Sequence, residues 1–137
     1  MHIQKRVILL FLAMLLFHVA HVLEEIWGRF WIMEAIFGLG WFVLVNWLLF
    51  CIPVAIFYFI LIGKRPAITL GIIYAAIMVV NGIVHNSATL ITGRYFDGFA
   101  GGFSGIALMA VGIPLIVALR KGLKHEGPLP YKKRVAP

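Results

Sequence analysis

Four long apolar runs constrain this chain more than any motif in it. Residues 7–26, 39–62, 67–91 and 98–119 are almost free of charge, and each offers the roughly 20 residues that a helix needs to cross ~30 Å of hydrocarbon. With 63% of its residues hydrophobic and 12% charged, the chain cannot cover a water-facing surface. The expected fold is therefore all-α, an integral membrane four-helix bundle in a single domain, followed by a basic tail, residues 120–137. Residues 27–37 mix aromatics with Arg29 and Glu34, which suits a short helix or turn lying in the membrane interface. Lys5 and Arg6 before the first run resemble the start of a secretory signal, but no small-x-small cleavage site follows, so an uncleaved helix is expected.

Charge orients the bundle. Placing both termini in the cytoplasm puts Lys5, Arg6, Lys64, Arg65, Arg120, Lys121, Lys124, Lys132, Lys133 and Arg134 on that face, and leaves only Arg29 and Arg94 opposite. Lys and Arg in short loops set topology in this sense. The net charge of +7 would suggest nucleic acid in a soluble protein. Here the cations flank apolar spans, so membrane lipids are the expected partners and nucleic acid is excluded. Cys51 is the only cysteine and can form no disulfide within the chain.

Four of the five carboxylates fall on the other, non-cytoplasmic side, and the uncharged polar residues gather with them. At ~1.5 Å per residue, His18 and His21 lie ~17 and ~21 Å along the first span, and Asn81 and His85 ~21 and ~27 Å along the third. Asn46 lies ~10 Å below the same boundary. His18, His21 and Glu25 share one helical face with Glu24 on its flank, and Asn81, His85 and Thr89 repeat every four residues. Should the two stripes face each other, imidazoles, carboxylates and an amide converge in one pocket.

Such residues are costly in a bilayer and usually mark function. Neutral imidazole with ionised carboxylate suits a divalent metal, Zn, Fe or Mn, and the same groups serve as general acid and base without one. The metal-ligating candidates are His18, His21, Glu25 and His85; the catalytic candidates are His21, Glu24, Glu25, His85 and Asn81. Asn46, Arg29 and Arg94 are placed to hold substrate, the arginines against an anionic headgroup. Blander roles stand beside these. Either glutamate could be hydrated at the boundary, His18 or His85 could bond to a neighbouring helix, and Asp97 could cap the fourth helix. Gly98 with Gly102, and Gly101 with Gly105, form small-xxx-small pairs that allow close helix packing. Pro53 and Pro114 are expected to kink their spans.

The run His21-Val22-Leu23-Glu24-Glu25 in a first membrane helix, with a later His85 and Arg94-Tyr95, resembles the HXXEE family of small, largely uncharacterised membrane proteins. The resemblance covers about residues 13–116 and implies a shared site at His21, Glu24, Glu25 and His85. That family's later segment reads as an aromatic followed by Pro-Gly, whereas Tyr95-Phe96-Asp97-Gly98 has Asp97 in place of the proline. Glu24-Glu25 with Arg29 also looks like the first motif of the Abi/CPBP intramembrane proteases, an analogy of chemistry only, because Asn81 and the missing last histidine motif depart from their pattern.

The leading expectation is a membrane-embedded enzyme acting on a lipophilic small molecule, by hydrolysis, isomerisation or oxidation. A proton-coupled or metal-ion transporter would use the same His/Glu cluster, and a membrane assembly subunit would rest on the glycine pairs instead. Homo-oligomerisation is compatible with all three.

Overall fold

The computed structural model describes residues 5–125, and the tail expected to lie on the membrane surface falls outside them apart from the end of the last helix. Four helices carry the fold: α1 Lys5–Trp27, α2 Gly38–Leu61, α3 Arg65–Thr92 and α4 Gly102–His125. Short π-type turns, Met33–Phe37 and Tyr95–Phe99, join the first pair and the last pair at one end of the bundle. No strand occurs among the described residues. All four helices are long and apolar enough to cross a membrane, and their outer faces carry large apolar side chains such as Leu9, Leu16, Trp47, Ile83 and Ile113. The chain is an all-helical multi-pass membrane protein by length and composition.

Each helix buries one stripe. On α1 the inward residues are Val7, Phe11, Met14, His18, His21 and Glu25, alternating three and four apart as one side of a helix requires. The stripe is apolar up to Met14 and polar beyond it, so the position that packs the core at one end builds the site at the other. Phe11, Met14, Ile60, Ala75, Leu108 and Leu115 form the centre of the apolar core. Pro53 and Pro114 both lie inside helices that continue through them.

Close packing is concentrated between α3 and α4. A Cβ on Gly82 would run into the backbone carbonyl of Gly105, and one on Gly105 would come within 3.0 Å of the Gly82 Cα. Bare backbone faces bare backbone there, which is how membrane helices gain dispersion energy without help from water. By contrast, α2 stands off: only 17% of its span is buried against 44% for α4. It leaves a gap between itself, α1 and α3.

The fourth helix starts at Gly102 rather than at residue 98, because Asp97 (φ 54°) and Gly101 (φ 123°) turn the chain before it. Of the four glycines expected to pair along that helix, Gly98 and Gly101 belong to the turn. Asp97 is not the helix cap. Its carboxylate lies 3.3 Å from Arg29 Nε, and its N–H donates to Gly28 O at 2.9 Å, stitching the two turns together.

Candidate functional site

Two adjacent glutamates on α1 point to different helices. Glu25 is buried and faces α3, where its Oε1 lies 3.2 Å from His85 Nε2 and 3.6 Å from His21 Nε2. Glu24, one residue and about 100° away, faces the start of α4. Its Oε2 accepts from Ser104 N (2.7 Å), and its Oε1 accepts from Phe103 N (2.9 Å), Gly101 N (3.2 Å) and the Tyr95 hydroxyl. These are the donors that a helix start leaves without intrahelical partners, and a carboxylate there also opposes the positive end of the helix dipole. The cap expected from Asp97 is thus supplied by Glu24, from another helix. Burial, then the hydrogen bond to Glu24, then its charge, push the Tyr95 phenol above the ordinary tyrosine range.

The other side of the α4 start holds His21. Ser104 Oγ donates to Gly101 O at 3.3 Å, so it accepts from His21 Nδ1 at 2.9 Å. That places the imidazole proton on Nδ1 and leaves a lone pair on Nε2, towards which Asn81 Nδ2 donates at 2.7 Å. His85 is set the same way. Its Nδ1 lies 3.2 Å from the carbonyl of Phe99, which can only accept, so Nδ1 carries the proton and Nε2 turns to Glu25.

One imidazole nitrogen of His21, one of His85 and one Glu25 oxygen lie within 4.8 Å of one another, and all three side chains are buried. Ligands ~2.1 Å from a tetrahedral Zn²⁺ stand about 3.4 Å apart. The 3.2 and 3.6 Å separations fit that spacing. Two imidazoles presenting Nε2, each with Nδ1 tied to a protein acceptor, form the outer arrangement usual for metal-bound histidine. In chemical terms the cluster can hold a divalent cation, or can share a proton between carboxylate and imidazole.

Aromatic residues close the cluster at the turn end. Phe30 is buried and its ring lies 4.9 Å from that of His85, packed with Met33, Phe42 and Phe99. Gly101 makes the close approach of the 95–101 turn feasible: a Cβ there would stand 2.7 Å from both His21 Cε1 and His85 Nδ1. On the opposite side lies a cavity of about 460 Å³ between α1, α2 and α3, with His21, Glu25 and Asn81 on its wall.

The remaining candidates separate. His18 is buried one turn before His21 on α1, but it shares a 3.1 Å hydrogen bond with the Tyr74 hydroxyl and is outside the three-residue cluster. Asn46 lines the cavity while its Nδ2 donates to Phe42 O in its own helix at 2.9 Å. Arg29 pairs with Asp97 on the exposed turn, and Arg94 is exposed in the linker. Thr89 Oγ1 donates to Phe99 O at 3.3 Å, next to the His85 bond. Ser104, Tyr74 and the Phe99 carbonyl were not singled out from sequence. Tyr74, Met78, Asn81 and His85 lie three or four residues apart, so the helical stripe could have been followed back to Tyr74.

No family model matches the chain, and neither the curated proteins nor the solved structures contain a match to it.

Proposed function

We propose that the protein is a membrane-embedded, metal-assisted enzyme whose centre is His21, Glu25 and His85, acting on the polar end of a lipophilic substrate. The observation that carries this reading is the convergence of two imidazoles and a carboxylate in a buried place, one ligand atom of each lying within 4.8 Å of the others. Each Nδ1 is set against a protein oxygen, so that Nε2 faces Glu25. A divalent cation would take all three as ligands, in place of the Asn81 bond at His21 and the proton between His85 and Glu25.

When bound, the ion would polarise a substrate oxygen or lower the pKa of a bound water. The protein's own groups do the rest. Ser104 and the Phe99 carbonyl hold the imidazoles in one tautomer, and the Phe30 layer excludes water from the turn end. Asn81, on the cavity wall, is the neutral donor that a substrate oxygen would meet. Glu24 is a positioning residue in this reading. Membership of the HXXEE family is proposed on the motif residues themselves. The basic residues near Lys5, Lys64 and Arg120 support placing the centre on the non-cytoplasmic side.

The test is metal analysis of the purified full-length protein after reconstitution with Zn²⁺, Fe²⁺ or Mn²⁺. A single bound ion per chain, lost in His21→Ala/His85→Ala while helical circular dichroism is kept, is the expected result. A wild-type protein that retains none of the three ions would overturn it.

A further inference from the structure

Only one end of the 460 Å³ cavity is accounted for by the metal centre. The rest runs from Asn81 to Leu70 along α3 and from Asn46 to Ile56 along α2. The eleven steps from Leu70 to Asn81 along α3, at ~1.5 Å each, make this cleft roughly 17 Å long. Its walls beyond the polar end are Leu49, Ile52, Ile56, Leu70, Ile73 and Ile77, with the His18–Tyr74 pair between the two regions. Five of these line the cavity and are nevertheless 48–57% exposed: Leu49 and Ile52 on α2, and Leu70, Ile73 and Ile77 on α3. The cleft is therefore open sideways between α2 and α3, where a membrane protein meets hydrocarbon.

We infer that this cleft takes the single hydrocarbon chain of an amphiphile drawn laterally from the bilayer, with its polar head held at His21, Glu25 and Asn81. This rests on the reading of those residues as the reacting end, and names the substrate class. Volume favours one chain: about 460 Å³ spread over roughly 17 Å leaves a mean cross-section of about 27 Å², room for one alkyl chain and not for two side by side. Polarity fixes the direction, because the hydrogen-bonding residues of the lining are at one end and in the middle, and the far end is aliphatic. A fully apolar ligand would gain little. Moving a chain from lipid into an apolar cleft brings no hydrophobic driving force, so binding must come from the head, and the cleft supplies alignment. Ile56 and Leu70 mark the far, aliphatic end of the cleft.

The experiment uses full-length protein in phosphatidylcholine nanodiscs and hexadecanol carrying a diazirine at its tail, with photolabelled peptides mapped by mass spectrometry. Labelling should concentrate on residues 49–56 and 70–78. Ile73→Trp, at the open mouth, should lower it about tenfold while metal content stays at the wild-type level. Ile52→Trp, on the facing helix, should do the same if the first variant folds poorly. Octanol should compete less well than unlabelled hexadecanol. Labelling equally dense on the lipid-facing Leu9, Leu16 and Ile113 and insensitive to both tryptophans overturns the inference. So does equal capture of a two-chain phosphatidylcholine probe. Cavity labelling in a protein that binds no metal would refute the metal centre alone, and uniform labelling of a metal-loaded protein would refute the chain site alone.

Discussion

Exchanging each glutamate of the adjacent pair for glutamine should give opposite phenotypes. In Glu24→Gln the amide keeps one oxygen. Leaving that oxygen with Gly101 N, Phe103 N and Tyr95 puts an NH₂ group against Ser104 N, and the 2.7 Å bond there is lost. An unsatisfied donor costs about 1–3 kcal/mol and neutralising the acceptor roughly halves the bonds that remain. Partial solvent contact at Phe103 reduces the sum, so a loss of ~2 kcal/mol is expected. At this chain length that corresponds to a fall of roughly 6–10 °C in melting temperature. In Glu25→Gln the side chain contacts only the two imidazoles among the bonds described. Shape is kept and a candidate metal ligand is lost. Melting of the metal-free protein should change by less than ~1 kcal/mol, while affinity for the ion falls by more than the ~100-fold typical of an outer-shell change. Thermal unfolding in one detergent and competitive chelator titration measure the two quantities side by side. The assignment fails if Glu24→Gln abolishes metal binding at unchanged melting temperature, or if Glu25→Gln binds the ion as wild type does.

Three further outcomes follow from the same geometry. Ser104→Ala removes the acceptor for His21 Nδ1, and metal affinity by chelator competition should drop about 10- to 100-fold with the helices intact. Gly82→Leu drives a side chain into the Gly105 backbone; a cost of several kcal/mol, at or beyond the ~1–3 kcal/mol of ordinary overpacking, should leave little monodisperse protein on size exclusion. Tyr95→Phe deletes a charge-assisted bond to Glu24, about 1.5 kcal/mol by thermal melting. In the wild type, spectrophotometric titration should find a tyrosine ionising above its usual pKa of ~10, raised by burial and by Glu24. Because the folded value is the higher one, its contribution to stability is present below pH ~10 and declines above it.

The helices were legible because apolar length alone sets them in a bilayer, and the faces of α1 and α3 were legible because a helix repeats every 3.6 residues. His21, Glu25, Asn81 and His85 needed nothing more to be brought together on paper. What periodicity cannot give is the direction of a flanking residue. Glu24 lies about 100° from Glu25, and whether it shares the cluster depends on which helix packs beside it. Ser104 and the Phe99 carbonyl were hidden for the same reason. Their role arises where the 95–101 turn folds back over α1, a contact governed by left-handed backbone at Asp97 and Gly101. His18 carries the reverse lesson. Its face follows from the same periodicity, but three residues along a helix is ~4.5 Å of depth, enough to exchange the cluster for Tyr74.

The cleft also bears on the choice between catalysis and transport. A cation leaving His21, Glu25 and His85 for the Lys64–Arg65 end would pass Met78, Ile73, Leu70 and Ile56, with only the His18–Tyr74 pair to replace its hydration among the described lining residues. Bare ions in low dielectric cost many kcal/mol, and a conducting route meets this with polar steps along its length. An alkyl chain has no such cost on the same path. Helices α1, α3 and α4 are locked together by Gly82, Gly105 and the Glu24 cap, and α2 is the least buried. The side opening is thus built from the element that can shift without disturbing the ligands. Proteoliposomes carrying the protein should show no Zn²⁺ or Mn²⁺ flux above empty vesicles; flux that disappears in Glu25→Gln would reverse the order of the two functions.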